Sequence, residues 1–117
     1  MSIDNALASV AVRDLDAAAA WYARLLGTEG RRPMPEVAEW TFPRGGGLQV
    51  YKGADRAGNC SFTLAVSDLD EQVAKLVAMQ VDVGNQTATT RVRTVMVRDP
   101  DGNSIAIAQA LDPSLAR

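Results

Sequence analysis

The strongest constraint on this chain is that it repeats itself. Leu7-Ala8-Ser9-Val10-Ala11-Val12-Arg13-Asp14-Leu15-Asp16 can be laid over Ser61-Phe62-Thr63-Leu64-Ala65-Val66-Ser67-Asp68-Leu69-Asp70, a displacement of 54 residues. Carried without gaps to Gly27 and Val81, the overlay pairs 21 positions. It places Ala11 on Ala65, Val12 on Val66, Asp14 on Asp68, Leu15 on Leu69, Asp16 on Asp70 and Ala20 on Ala74. Chance would supply roughly two identities in a sequence so rich in Ala, Val and Leu. A chain of 117 residues is therefore read as two copies of one supersecondary unit. Neither half, at roughly 55 residues, buries enough surface to stand comfortably alone, so both are assigned to one domain.

Each copy opens with an apolar or alternating run ending at Val12 or Val66, which predicts a strand. Asp14 and Asp68 are placed to cap the helices that follow, with Asp16 and Asp70 in the positive first turn. The first helix is predicted over Ala17 to Leu26, with Gly27 as its stop. The second is predicted over Glu71 to Met79, with an inner stripe of Leu69, Val73, Leu76, Val77 and Gln80. Three extended segments follow each helix. In the first half they are Thr28 to Arg32, Val37 to Phe42 and Leu48 to Lys52, with Arg44-Gly45-Gly46-Gly47 as the last turn. In the second half they are Asp82 to Ala88, Arg91 to Val97 and Ser104 to Ala108. Their turn is Arg98-Asp99-Pro100-Asp101-Gly102-Asn103. The reading is α+β: a first module over about 5–52, a linker 53–59, a second module over about 60–110 and a tail 111–117.

Composition removes whole classes of chemistry. There is no histidine, hence no imidazole base, proton shuttle or metal ligand. A single cysteine forms no internal disulfide and no Cys–His site. Net charge is −2 from 12 basic and 14 acidic residues, which is no footprint for nucleic acid. No apolar run reaches the roughly 20 residues that span a bilayer. Met1-Ser2-Ile3-Asp4-Asn5 lacks a basic region ahead of an apolar core, so the expectation is a cytoplasmic protein without a secretory leader. The triple glycine at 45–47 has neither phosphate-loop context, and a hairpin turn is the expectation.

Two motifs carry a resemblance. One runs from Val12-Arg13-Asp14-Leu15-Asp16 to Trp21-Tyr22-Ala23-Arg24-Leu25-Leu26-Gly27; the other is Asp99-Pro100-Asp101-Gly102-Asn103-Ser104-Ile105-Ala106-Ile107. With the repeat between them, the chain resembles the vicinal oxygen chelate superfamily, which holds glyoxalase I, extradiol dioxygenases and bleomycin-resistance proteins. The resemblance extends from Leu7 to Gln109. It implies two tandem βαβββ modules forming a curved half-barrel sheet, with helices outside and the ligand in the concave face. Enzymatic members hold a divalent metal through one residue on the first and last strand of each module. Here those positions carry Leu7, Gln49, Ser61 and Ala106, of which only Gln49 is a competent ligand. The resemblance therefore implies the metal-free branch, with no cofactor.

What remains is a cup for a small molecule, aromatic or cationic, in a homodimer, with antibiotic sequestration as the model. Trp40 and Phe42 share strand parity and form either a stacking platform or part of the core, with Tyr51 and Phe62 as additions. Gln49 and Glu39 are candidate polar contacts, and Glu36 and Asp82 further acidic candidates. Cys60 reads as a small buried hydrophobe. Two alternatives stay open: a metal-free enzyme using carboxylates or tyrosine in the same cavity, and a metal-dependent lyase or dioxygenase with other ligands.

Overall fold

In a computed structural model, which describes residues 2–117, the elements run β1 (Leu7–Val12), α1 (Leu15–Leu26), β2 (Arg31–Met34), β3 (Val37–Thr41) and β4 (Gly47–Lys52). They continue as β5 (Ser61–Ala65), α2 (Leu69–Ala78), β6 (Gln86–Ala88), β7 (Val92–Arg98) and β8 (Ser104–Ala110). The chain divides into two compact units, the first ending at Cys60 and the second beginning at Ser61. Each holds one four-stranded mixed sheet and one helix, in order β1-β4-β3-β2 and β5-β8-β7-β6. The α+β tandem βαβββ reading is thus the observed architecture.

The capping aspartates act as the sequence predicts. Asp14 accepts from the Ala17 amide at 3.1 Å, and Asp68 from the Glu71 amide at 3.1 Å. Because each cap sits so early, the helices begin at Leu15 and Leu69, two residues before the expected starts. Gly27 closes α1 in the left-handed conformation at φ 77°, its amide donating to the Ala23 carbonyl. The end of α2 does the same work without glycine. Gln80 lies at φ 62° and donates to the Val77 carbonyl, while the Val81 amide reaches Leu76. That pattern of bonds is a Schellman closure.

Three predicted strands shift or shorten for local reasons. The first unit's second strand starts at Arg31, because the Thr28 carbonyl is held by the Trp40 indole N–H at 2.9 Å. Residues 82–85 stay outside β6, since the Asp82 side chain accepts from the Gly84 amide at 3.1 Å and closes a tight turn. Phe42 lies beyond β3, its amide turned to the Gly46 carbonyl. The segment 53–59 is not an open tether. Gly53 donates to the Val12 carbonyl, Ala57 is buried, and Arg13 donates to the Ala57 carbonyl at 3.3 Å. In the tail, Arg91 Nε holds Asp112 at 3.1 Å.

Alternation along the strands puts one face of each sheet against its own helix. In the first unit Val10, Val12, Ala38, Trp40, Leu48 and Val50 are buried with Leu15, Ala18, Tyr22 and Leu25 of α1. In the second, Val95, Val97, Ile105 and Ile107 are buried with Leu69 and Leu76 of α2.

The two last hairpins share one geometry. The Phe42 amide donates to the Gly46 carbonyl as the Asp99 amide donates to the Asn103 carbonyl in the second unit, and Gly45 and Gly102 sit at φ 105° and 95°. The second turn is the more tightly tied. The buried Asp99 carboxylate accepts from the amides of Asp101 and Asn103 and from the Asn103 side chain at 2.8 Å. No helix among the described residues is long and apolar enough to cross a membrane.

Two substitutions test these closures by denaturant unfolding. Gln80→Gly should raise stability by about 1 kcal/mol, since glycine carries no left-handed penalty. Asp99→Ala should lower it by about 3 kcal/mol, because it removes the buried carboxylate that accepts from the Asp101 and Asn103 amides and the Asn103 side chain.

Candidate functional site

The helix-free face of the first sheet carries a polar row that crosses all four strands. Cross-strand register pairs Ser9 with Gln49, Gln49 with Glu39, and Glu39 with Arg31. Gln49 Nε2 donates to Glu39 Oε2 at 3.0 Å, and Arg31 Nη2 donates to Glu39 Oε1 at 3.0 Å. The Glu39 side chain is only 16% exposed, whereas Arg31 is 74% exposed. The Gln49 amide, then the Arg31 hydrogen bond and charge, hold the Glu39 carboxyl below the ordinary carboxylate range, against the opposing effect of partial burial. The ionised carboxylate is thus the form that the row stabilises.

The rows on either side are less polar. On one side Ala11, Tyr51, Val37 and Met34 stand in register, with the Tyr51 ring half-buried. On the other, Leu7, Gly47 and Thr41 pair. A Cβ at Gly47 would lie 2.5 Å from Leu7 Cδ2, so glycine is what lets the leucine lean across its strand.

The second unit keeps the frame and loses the row. Its counterpart of Ser9–Gln49–Glu39 is Thr63–Ala106–Met96, joined by the same register. A shallow open depression of about 210 Å³ lies against Asp82, Gly84, Met96, Val97 and Arg98. That is below the roughly 300 Å³ at which drug-sized ligand pockets begin.

The four positions at which the resemblance implies metal ligands differ in their donor atoms. Leu7 and Ala106 offer none, Ser61 is an exposed hydroxyl at the start of β5, and Gln49 supplies one amide oxygen, which alone cannot hold an ion. No group of three or more His, Cys, Asp or Glu among the described residues could hold a metal ion. These residues do not fit a divalent cation.

The remaining candidates separate by face. Trp40 and Phe42 do not form an open platform. Trp40 is 4% exposed, its ring 6.2 Å from that of Tyr22 and its N–H committed to Thr28. Shared parity placed it correctly, but on the helix side. Phe42 is half-buried in the turn. Phe62 stands in register with the buried Ile105, on the helix side of its own sheet. Glu36 is exposed between β2 and β3, and Asp82 is occupied by its own turn. Cys60 accepts from the Ala11 amide through Sγ at 3.4 Å and donates to the Arg56 carbonyl, a structural role. Of the predicted set, the fold brings together Gln49, Glu39 and Tyr51.

Two members of the row escaped sequence reasoning, Ser9 and Arg31. Nothing local marks them, because it is register across β1-β4-β3-β2 that lines them up.

Residues 7–108 match a family model described as a glyoxalase-like domain. Among solved structures, the chain is similar to a glyoxalase/bleomycin resistance protein from Catenulispora acidiphila DSM 44928. That match has 36% identity and a TM-score of 0.79, over 90% of this chain and 96% of the other. It is also similar to TnmS3, an antibiotic binding protein from Streptomyces sp. CB03234, at 25% identity and TM-score 0.81, covering 94% and 98%. A glyoxalase/bleomycin resistance protein from the same organism matches at 26% identity and TM-score 0.76, covering 89% and 98%. A search of curated proteins returned no match.

The charge state of Glu39 is directly measurable. Its carboxyl carbon, followed by NMR against pH, should titrate below the ordinary glutamate value of about 4.3. Gln49→Ala and Arg31→Ala should each raise that midpoint. With the folded value lowered, the row stabilises the fold above the ordinary carboxylate range and loses that contribution as pH falls through the folded midpoint.

Proposed function

The chain belongs to the glyoxalase-like domain family, and from that membership we propose that it is a metal-independent small-molecule binding protein, with antibiotic sequestration as its role. The observation that carries the reading is the substitution of Leu7 and Ala106 at positions where catalytic relatives place metal ligands, beside a sheet face that keeps its polar row. Lost donors remove the usual reaction while leaving a surface able to orient a ligand. The similarity to a protein described as antibiotic binding, along nearly the whole length of both chains, supports the same direction.

The recognition surface in this reading is Tyr51 with Gln49 and Glu39. A half-buried aromatic ring gives stacking area, and the amide–carboxylate pair gives direction. The protein acts as a homodimer in the cytoplasm. Each four-stranded sheet ends on strands paired along one side only, which is the kind of edge that assembly covers.

A thermal-shift screen of aromatic and glycopeptide antibiotics tests the proposal. A true ligand at a hundred times its dissociation constant should add about 2.7 kcal/mol of stability. Tyr51→Ala should weaken that ligand by roughly 1–2 kcal/mol. Silence across the panel at high excess would remove the sequestering role. Elemental analysis of the purified protein should find divalent metal far below one per chain, and sedimentation should give twice the mass of one chain.

A further inference from the structure

We propose that the Ser9–Gln49–Glu39–Arg31 row selects a neutral hydrogen-bond donor carried on a flat aromatic ligand, and not a cation. The assignment rests on the small-molecule reading above and names the chemistry that the first unit's open face recognises.

Charge decides the first half. Glu39 alone would favour a cation, but Arg31 sits 3.0 Å from its carboxylate on the same face. A cationic ligand approaching the carboxylate meets the guanidinium at nearly the same range, and the two interactions oppose each other well within a Debye length of about 8 Å. The pair is electrically balanced, so a positive charge on the ligand gains little.

Amide geometry decides the second half. Gln49 turns Nε2 to Glu39, and a planar amide then turns Oε1 away from it, toward the β1 side of the sheet. Ser9 is the cross-strand neighbour there, roughly 5 Å away, with an exposed hydroxyl. Among the described residues neither Gln49 Oε1 nor Ser9 Oγ has a hydrogen-bond partner. Glu39 is thus a positioning residue: ionised, it keeps the amide nitrogen inward and the acceptor available. Tyr51 follows Gln49 on the same strand and face, about 7 Å along. That spacing places a ligand ring over Tyr51 and its hydroxyl or N–H on the Gln49 oxygen. The second unit, with Ala106 and Met96 in the matching places, has no such acceptor.

Naphthol, its methyl ether and naphthylmethylammonium present one ring system with a neutral donor, no donor and a cation. Titrations of the full chain followed by proton–nitrogen correlation spectra should give naphthol about tenfold tighter than the ether. The ammonium should bind no tighter than naphthol. Naphthol, and not the ether, should shift the Gln49 side-chain amide. Gln49→Leu should bring the naphthol-to-ether ratio near one while the ether still binds. Arg31→Ala should move preference toward the ammonium by about tenfold, as the Glu39 charge is uncovered. The assignment is overturned if the ammonium binds most tightly to the unaltered protein, or if Gln49→Leu leaves the ratio standing. Should that variant fail to fold, equal amide shifts with naphthol and the ether in the unaltered protein overturn it as well. Absence of binding by every probe at millimolar concentration also sinks it, whereas the antibiotic screen judges the small-molecule reading separately.

Discussion

One helix pressed against one face of each sheet is the constraint on which the rest depends. Strand side chains alternate, so once Leu48, Val50, Trp40 and Val10 are committed to α1, the residues between them are committed to the opposite face. Gln49, Glu39 and Ser9 are therefore placed by what their neighbours bury. Tyr22 anchors this arrangement, fully buried and in ring contact with Trp21 and Trp40. The polar row is the remainder of the core's own pattern.

The duplication explains how such a row can appear once in a fold built twice. Caps, parallel pairing of the first and last strands, and the last hairpin recur in both units, because each solves a backbone problem that recurs. The open faces solve no backbone problem and carry different residues. Gln49 against Ala106, and Glu39 against Met96, are differences the frame tolerates without altering register. Gly27 and Gln80 show the same freedom at a helix end, where a left-handed residue is used with and without glycine.

Much of the frame was legible in residue order. Asp14 and Asp68 announced the helix starts, Gly27 the first stop, and Asp99 to Asn103 the final turn, since each acts through bonds to residues a few positions away. The site was less legible. Trp40 stood open between stacking surface and core, because parity tells which residues share a side but not which side the helix takes. Arg31 and Ser9 were invisible for a different reason: one is eight residues from Glu39, the other far along the chain from Gln49, and strand pairing alone joins them. The expected strand at Thr28 gave way to a carbonyl needed by the Trp40 indole, a contact no local pattern announces.

The sequence by itself determined the duplicated α+β units, the helix caps at Asp14 and Asp68, the stop at Gly27 and the absence of donor side chains at Leu7 and Ala106, because these follow from local bonding and from what each side chain contains. Only the tertiary structure decided that Glu39 is clasped between Gln49 and Arg31, that Trp40 is core, and that the polar row belongs to the first unit alone. Those facts depend on register and on which face a helix covers. Both are set by packing between segments distant in the chain.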